Sequence, residues 1–597
     1  MASTRPPFKG AQRKLLIAFD IGTTFSGVSY SVLDPDVPPE ILGVQRFPAQ
    51  IHGNSKIPSV LWYDANGKAR AIGAEAVQDG MEEIAEESGW TKAAWFKLHL
   101  RPKTGGTAFI SDMIPPLPKG VAVVEIFADL LRYLYHCTKE YIEQTHATGE
   151  MLWKSLQTQT HFVLTHPNGW AGFQQSQMKQ AAINAGLISD MEATNISFVT
   201  EGEASLNYCI YSGLSNDAFK DEKGVIIVDA GGGTIDISAY AQSHLIGNSY
   251  EEIAASQCHM KGSVFVTLDA KAFLKRHLSD SEYNDDEEMK RMVKVFDEHT
   301  KLFFRRKEDP QFIKFGGLKD NDASKGIRSG QLKLAGTDVA RFFAPSLESI
   351  LDSILSMRAC SKKPISSVFL VGGFAGSDYL FNQAKEALRP FGIAVCRPEG
   401  HLSKAVANGA VSFYVDHYVD TRISKSTYGN ACSYIYNPHD PEHLKRVSQV
   451  YESPSKKRYI RGAYDVILSK DTQVSEKTEF RRSYWYTSTT RDNLHHIRNE
   501  ILAYRGPNAS PRWMDVDADC YYKLCTVEAD TTKLSHLLQP QRSVTGKKKN
   551  RLITTYFELR YDIVLSLGMT ELKAEIAWIE NGREVRGPAR IVYDLDN

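Results

Sequence analysis

No Cys-x-x-Cys pair occurs in this 597-residue chain, although it holds eight cysteines. They are scattered, and the closest two, Cys520 and Cys525, have no His or Cys partner at metal-ligand spacing. That pattern excludes a zinc module and a disulfide framework and fits free thiols in a reducing compartment. An excess of one charge is also missing. Lys+Arg and Asp+Glu both number 71, so the overall balance favours neither nucleic acid nor an anionic membrane. No stretch reaches membrane-spanning length. The apolar run Leu15 to Phe19 is far too short for a signal-peptide core. We therefore expect a soluble, cytoplasmic protein with no nucleic-acid or membrane partner. What is present is apolar material, 42% of residues, enough to fill large cores.

Two segments of the chain look alike. The first runs Leu15-Leu-Ile-Ala-Phe-Asp20-Ile-Gly22-Thr23-Thr24 and the second Val225-Ile-Ile-Val-Asp229-Ala-Gly231-Gly232-Gly233-Thr234. Each is a short β-branched run, then Asp-x-Gly, then small residues, then a second strand-like run. The expected local structure is two strands joined by a tight turn. Small residues let backbone N–H groups converge into one concavity, which attracts phosphate oxygens. An Asp ending each first strand suits hydrated Mg²⁺, which prefers carboxylates and keeps several waters. Two copies about 200 residues apart imply two similar lobes, each presenting one turn to a shared cleft. A third segment, Val368-Phe-Leu-Val371-Gly372-Gly373, reads as a buried strand ending in a glycine pair. Ser377 then caps a helix with Leu380, Phe381, Ala384 and Leu388 on one face.

Together these segments resemble the nucleotide-binding domain of the heat-shock-protein-70 (DnaK-like) family, within the actin-like ATPase superfamily. The likeness covers roughly residues 14 to 420. Asp229-Ala-Gly-Gly-Gly-Thr-Ile-Asp236 is its most specific motif, a near-complete match to the family's second phosphate loop. Thr165-His-Pro-Asn-Gly-Trp170, Glu201 and Ala405-Val-Ala-Asn-Gly409-Ala410 are similar to further family segments. Phe96-Lys-Leu, Val371-Gly-Gly-Phe and Thr427-Tyr-Gly429 resemble the divergent branch known as heat-shock protein family A member-twelve-like. The Pro-Thr pair that the family places after Glu201 is replaced here by Gly202-Glu203.

The resemblance implies ATP/ADP and Mg²⁺ as ligands, with Asp20 and Asp229 as metal residues. Gly22, Thr23, Thr24, Gly231, Gly232, Gly233 and Thr234 would wrap the phosphates. Gly372 and Gly373 would lie against the nucleoside, and Glu298 and Lys301 near the ribose. Lys97 would stabilise charge at the terminal phosphate, and Glu201 and Asp236 are candidates to orient the attacking water. The plainer readings are a surface lysine for Lys97 and an i,i+3 helix pair for Glu298 and Lys301. The basic residues that sandwich adenine in the family are not evident, and Leu302 with Phe374 or Gly376 occupies those positions.

The implied fold is α/β: a duplicated, ribonuclease-H-like, two-lobed actin-like ATPase followed by a β-rich domain. We expect a disordered segment at 1–13, lobes at 14–222 and 223–422, and the β-rich domain at 423–597. That last part lacks the family's acidic, leucine-rich linker and its helical lid. Alternation from Phe557 to Leu565 marks a half-buried strand, and Asn581-Gly582 marks a hairpin turn. Lys547-Lys-Lys549 with Arg551 reads as a solvated loop. The expected function is an ATP-binding, slowly ATP-hydrolysing, chaperone-like switch, with protein clients or co-chaperones met through the C-terminal domain. A nucleotide-binding scaffold without hydrolysis and a small-molecule kinase of the same superfamily are the alternatives.

Overall fold

The computed structural model describes residues 5–51, 53–102, 110, 112–170, 172–191, 193–212, 223–243, 249–398, 402–475, 478–545, 552–567 and 572–587. The chain divides into two units, 1–420 and 421–597. The basic tract at 547–549 lies outside the described residues.

The first unit opens with β1 (Lys14–Ile21), whose apolar run is buried on both faces, and β2 (Phe25–Leu33). Short β3 (Leu42–Gly43), β4 (Thr160–His166) and β5 (Ile196–Thr200) extend a sheet ordered β3-β2-β1-β4-β5, and the short strand Lys56–Pro58 also pairs with β2. The hairpin strands pair antiparallel, and β1-β4 and β4-β5 pair parallel. Helices α1 (Val123–Thr145) and α2 (Gly172–Asn184) put Ile126, Leu130, Leu134, Met178 and Ala181 into its core. Helix α3 (Glu201–Tyr211) follows β5, with the Thr200 hydroxyl capping it by accepting from the Glu203 N–H.

The same arrangement then recurs. Strands β6 (Gly224–Ala230), β7 (Ile235–Gln242), β8 (Tyr250–His259), β9 (Ile365–Val371) and β10 (Ala394–Cys396) are ordered β8-β7-β6-β9-β10. Again β8-β7-β6 is antiparallel and β6-β9-β10 parallel. Helices α4 (Ser263–His277), α5 (Gly336–Cys360) and α6 (Asp378–Leu388) build its core through Val266, Phe343, Ile350 and Leu380. The duplication inferred from two short motifs thus extends to strand order and direction.

Helix α3 follows the first sheet but packs on the second, whereas α7 (Ala405–Asp416) follows the second and packs on the first. The two helices cross closely. A Cβ at Gly409 would stand 1.8 Å from the Ala204 carbonyl oxygen, so only glycine allows that approach.

The amino-terminal segment departs from the expected disorder once Arg5 is reached. Arg5 is buried, donates from Nε to Asp416 at 2.9 Å and lies over the Tyr211 ring. A buried charge that finds both a carboxylate and an aromatic face is held in place.

The second unit consists mainly of two antiparallel sheets. One includes Thr427–Ile435, Arg458–Leu468, His496–Tyr504 and Tyr521–Asp530. The other includes Glu479–Ser488, Leu552–Leu567, Leu572–Glu580 and Arg583–Arg586. Ile467, Ile501 and Val527 from the first share a core with Leu559, Ile563 and Ile576 from the second. Tyr484 turns inward and donates to Asp465, while Trp485 and Tyr486 are exposed. Asn581 and Gly582 both have positive φ, as a type I′ turn requires. Among the described residues, no helix is long and apolar enough to cross a membrane.

Candidate functional site

A cleft of about 1300 Å³ in the first unit is lined by both hairpin turns. Its wall includes Asp20, Gly22, Thr23, Thr24, Lys97, Glu201, Asp229, Gly231, Gly232, Gly233, Thr234, Glu298, Lys301, Gly372 and Gly373. Asp236 alone among the candidates lies behind this wall. It is fully buried and accepts a hydrogen bond from the Asn168 N–H at 2.6 Å.

The two turns touch. A Cβ on Gly232 would stand 2.4 Å from Thr24 Oγ1, and one on Gly233 would stand 2.3 Å from Thr23 Oγ1. Behind the second turn lies the start of α4. Gly262, Ser263 and Val264 donate their N–H groups to the carbonyls of Gly233, Gly231 and Gly232 at 2.9–3.1 Å. Because a trans peptide points its N–H opposite its C=O, the N–H groups of Gly232, Gly233 and Thr234 turn away from α4. That orientation makes the turn a nest for an anion. The same cleft contains the glycine pair after β9, where Gly372 has φ +87° and a Cβ would meet Asp229 Oδ1 at 2.3 Å.

Four carboxylates gather at this end. Asp20 ends β1 and accepts from Lys56 Nζ at 2.6 Å and from the Thr165 hydroxyl at 3.3 Å. Asp229 ends β6 directly opposite Asp236 and accepts from the Ser205 hydroxyl at 2.9 Å. Glu201, at the first turn of α3, pairs with Lys97 Nζ. Burial, with Asp236 alongside, pushes the Asp229 carboxyl up to about 7. Burial also raises Glu201 above the ordinary carboxylate range; Lys97 opposes that rise, and Asp236, Asp20 and Asp229 add to it. Lys97 is held above its usual value: burial opposes its charge, but Glu201 and Asp20 overcome that. Four carboxylates and two lysines, Lys56 and Lys97, thus share this end of the cleft.

Lys97 is 4% exposed, so it is no surface lysine. It sits on a tight 3₁₀ turn, Phe96–Leu100, that follows Trp95 in a left-handed conformation. Lys301 is likewise buried, but its partner is Asp297 one turn earlier, not Glu298. It also donates to the Thr267 hydroxyl at 3.1 Å. A π-helical turn, Phe296–Thr300, presents Asp297 and Glu298 to the cleft. Leu302, 59% exposed, and Phe374 face the same cavity.

Sequence reasoning missed several residues here. Lys56, Ser205 and Asp297 carry no motif; each is defined by a partner distant in sequence or one helical turn away. Gly202 replaces the expected proline because a Cβ there would stand 2.4 Å from Ser238 Oγ, so the start of α3 lies directly on β7.

No protein-family model matches the chain. Among curated proteins, heat shock 70 kDa protein 12A of Homo sapiens is 24% identical, with 79% of this chain and 79% of that protein covered. The Mus musculus protein of the same name matches equally. Heat shock 70 kDa protein 12B of Homo sapiens is 22% identical over 81% of this chain and 80% of its own length. At 22–24% identity over about four fifths of each chain, the protein is similar to heat shock 70 kDa proteins 12A and 12B, in accord with the divergent heat-shock-protein-70 branch its motifs resemble.

Proposed function

We propose that residues 14–422 form a two-lobed actin-like ATPase module that binds ATP with Mg²⁺ and hydrolyses it slowly. One observation carries this reading: two Asp-x-Gly turns from equivalent positions of two like-ordered sheets line one cleft. The residues fit the metal. Asp20 and Asp229 present buried carboxylates to the cleft, burial opposes the Asp229 charge that a cation would favour, and a glycine is the only residue that leaves room at Gly372. Mg²⁺ bound there would neutralise phosphate charge. The residues of the chain supply the rest. The amides of Gly232, Gly233 and Thr234 and the hydroxyls of Thr23 and Thr24 hold phosphate oxygens, and Lys97 adds a fixed positive charge. Glu201, adjoining Lys97 on the cleft wall, is the group to orient water; Asp236 acts through the frame, holding the Asn168 backbone. Leu302 and Phe374 suit the flat apolar face of a base, and Glu298 the ribose. We assign residues 423–597 to protein clients or co-chaperones, and the whole to a chaperone-like role.

A specific observation also favours a second reading, a scaffold that binds but does not turn over. Glu201 is already paired with Lys97 and is shifted toward its neutral form, a poor base. Single-turnover measurement with radiolabelled ATP and Mg²⁺ separates the two. Slow release of phosphate, abolished in Asp229→Ala and Thr234→Ala, supports the ATPase. ATP-dependent thermal stabilisation with no phosphate release supports the scaffold. Absence of any nucleotide binding refutes both.

A further inference from the structure

Lys56 has no place in the reading above, yet it lines the same cleft and contacts Asp20. It begins the strand Lys56–Pro58, which pairs with β2 so that Lys56 lies opposite Gly27. The absent Cβ at Gly27 leaves room for the lysine stem, since an added Cβ would stand 3.0 Å from Lys56 Cγ. The stem is thereby led inward. Its Nζ reaches Asp20 Oδ2 at 2.6 Å, and its side chain is only 19% exposed. Lys56 lines the same cleft as Thr23, Thr24, Lys97 and the Gly231–Gly233 turn.

The contact has a consequence for cation binding. One Asp20 oxygen is taken by Lys56 and the other by the Thr165 hydroxyl, so a metal ion that engages Asp20 must compete with the ammonium. The ammonium can exchange one anionic partner for another. A lysine head is a compact point charge on a flexible stem, and an ammonium binds phosphate oxygens as readily as carboxylate. Anionic phosphates on the nest at Gly232 and Gly233, which lines the same cleft, would give it a second partner. The carboxylate-rich floor would otherwise repel a polyphosphate arriving without metal.

Building on the proposed ATP site, we propose that Lys56 is a built-in counter-cation: it occupies Asp20 in the empty cleft and contacts nucleotide phosphates, so that nucleotide binding persists without Mg²⁺. Lys56 is here a ligand-binding residue, distinct in role from Lys97, which is committed to Glu201.

The test is isothermal titration of the full chain with ATP, in Mg²⁺ and in EDTA, for the wild type, Lys56→Met, Lys56→Gln and Lys56→Arg. In the wild type, EDTA should weaken ATP binding by less than about tenfold. Lys56→Met and Lys56→Gln should widen the ratio between the two conditions by at least about tenfold, and Lys56→Arg should keep the wild-type ratio. Should Lys56→Met fail to fold, by its far-ultraviolet circular dichroism melt, the Gln and Arg variants decide. An unchanged ratio in Lys56→Gln overturns the inference, as does a wild type that binds ATP only with Mg²⁺. A wild type that binds ATP in neither condition overturns the ATP site itself, so the two failures are distinguishable.

Discussion

Replacing Gly409 by alanine sets two effects of opposite sign against each other. Gly409 lies inside α7, and alanine in a helix interior is favoured over glycine by about 1 kcal/mol. Propensity alone therefore predicts a more stable protein. The crossing with α3 predicts the reverse. The new Cβ would stand 1.8 Å from the Ala204 carbonyl oxygen, where ordinary contact needs about 3.5 Å. The helices must separate by well over 1 Å, and the obstructing atom is backbone, which cannot rotate aside. Overpacking of this kind costs about 1–3 kcal/mol, with a rigid partner at the upper end. Net destabilisation of about 1–2 kcal/mol is expected. A functional loss should accompany it, because α3 carries Glu201 to Lys97 and Ser205 to Asp229. The assay is urea unfolding of the full chain followed by tryptophan fluorescence, with ATP affinity measured on the same preparations. A Gly409→Ala protein as stable as the wild type, or more stable, would refute the close crossing and the positioning role given to it.

Gly233→Ala should abolish stabilisation by ATP, because its Cβ would stand 2.3 Å from Thr23 Oγ1 and force the two turns apart; a thermal shift by ATP of wild-type size would contradict this. Lys97→Met leaves the buried Glu201 without its partner and should cost about 3 kcal/mol in urea unfolding. Glu201→Gln should cost less, since Asp20 and Asp236 still favour the Lys97 charge; the opposite order would mean that the pair is not the contact described. His161 carries the pH dependence. Burial, then Lys14, lowers it to about 4 from 6.5, and it sits against Ser197 Oγ and the Tyr414 ring. The folded state thus takes up its proton later than the unfolded state as pH falls. Its contribution is complete above pH 6.5 and disappears as pH falls through 4, a loss of about 3 kcal/mol from the shift. His161→Gln should flatten the stability profile between pH 6.5 and 4, read from urea midpoints; an unchanged slope assigns the acid limb to other groups.

The parts of this protein legible in its sequence are those written in contiguous residues. A run such as Leu15 to Phe19 followed by Asp-x-Gly fixes a buried strand and a tight turn, because burial and turn chemistry are local. Repetition of that unit at Asp229 then implied two like halves. Ser377 as a helix cap, the alternation from Phe557 to Leu565 and the Asn581-Gly582 turn were legible for the same reason. The partners of charged groups were not. Lys97 reads equally as surface or core until Glu201, 104 residues away, is brought to it. Lys56 gives no signal until β2 sets it across from Gly27 and beside Asp20. Lys301 was matched in sequence with Glu298, yet the helix places Asp297 on its face. Gly202 looked like a lost proline, and Gly409 like an ordinary helix residue. Their meaning lies in the space left for Ser238 and Ala204. Sequence determines where backbone turns and which runs must be buried. Which charges meet inside, and how closely two helices cross, depends on packing between segments far apart in the chain, and only the tertiary structure decides it.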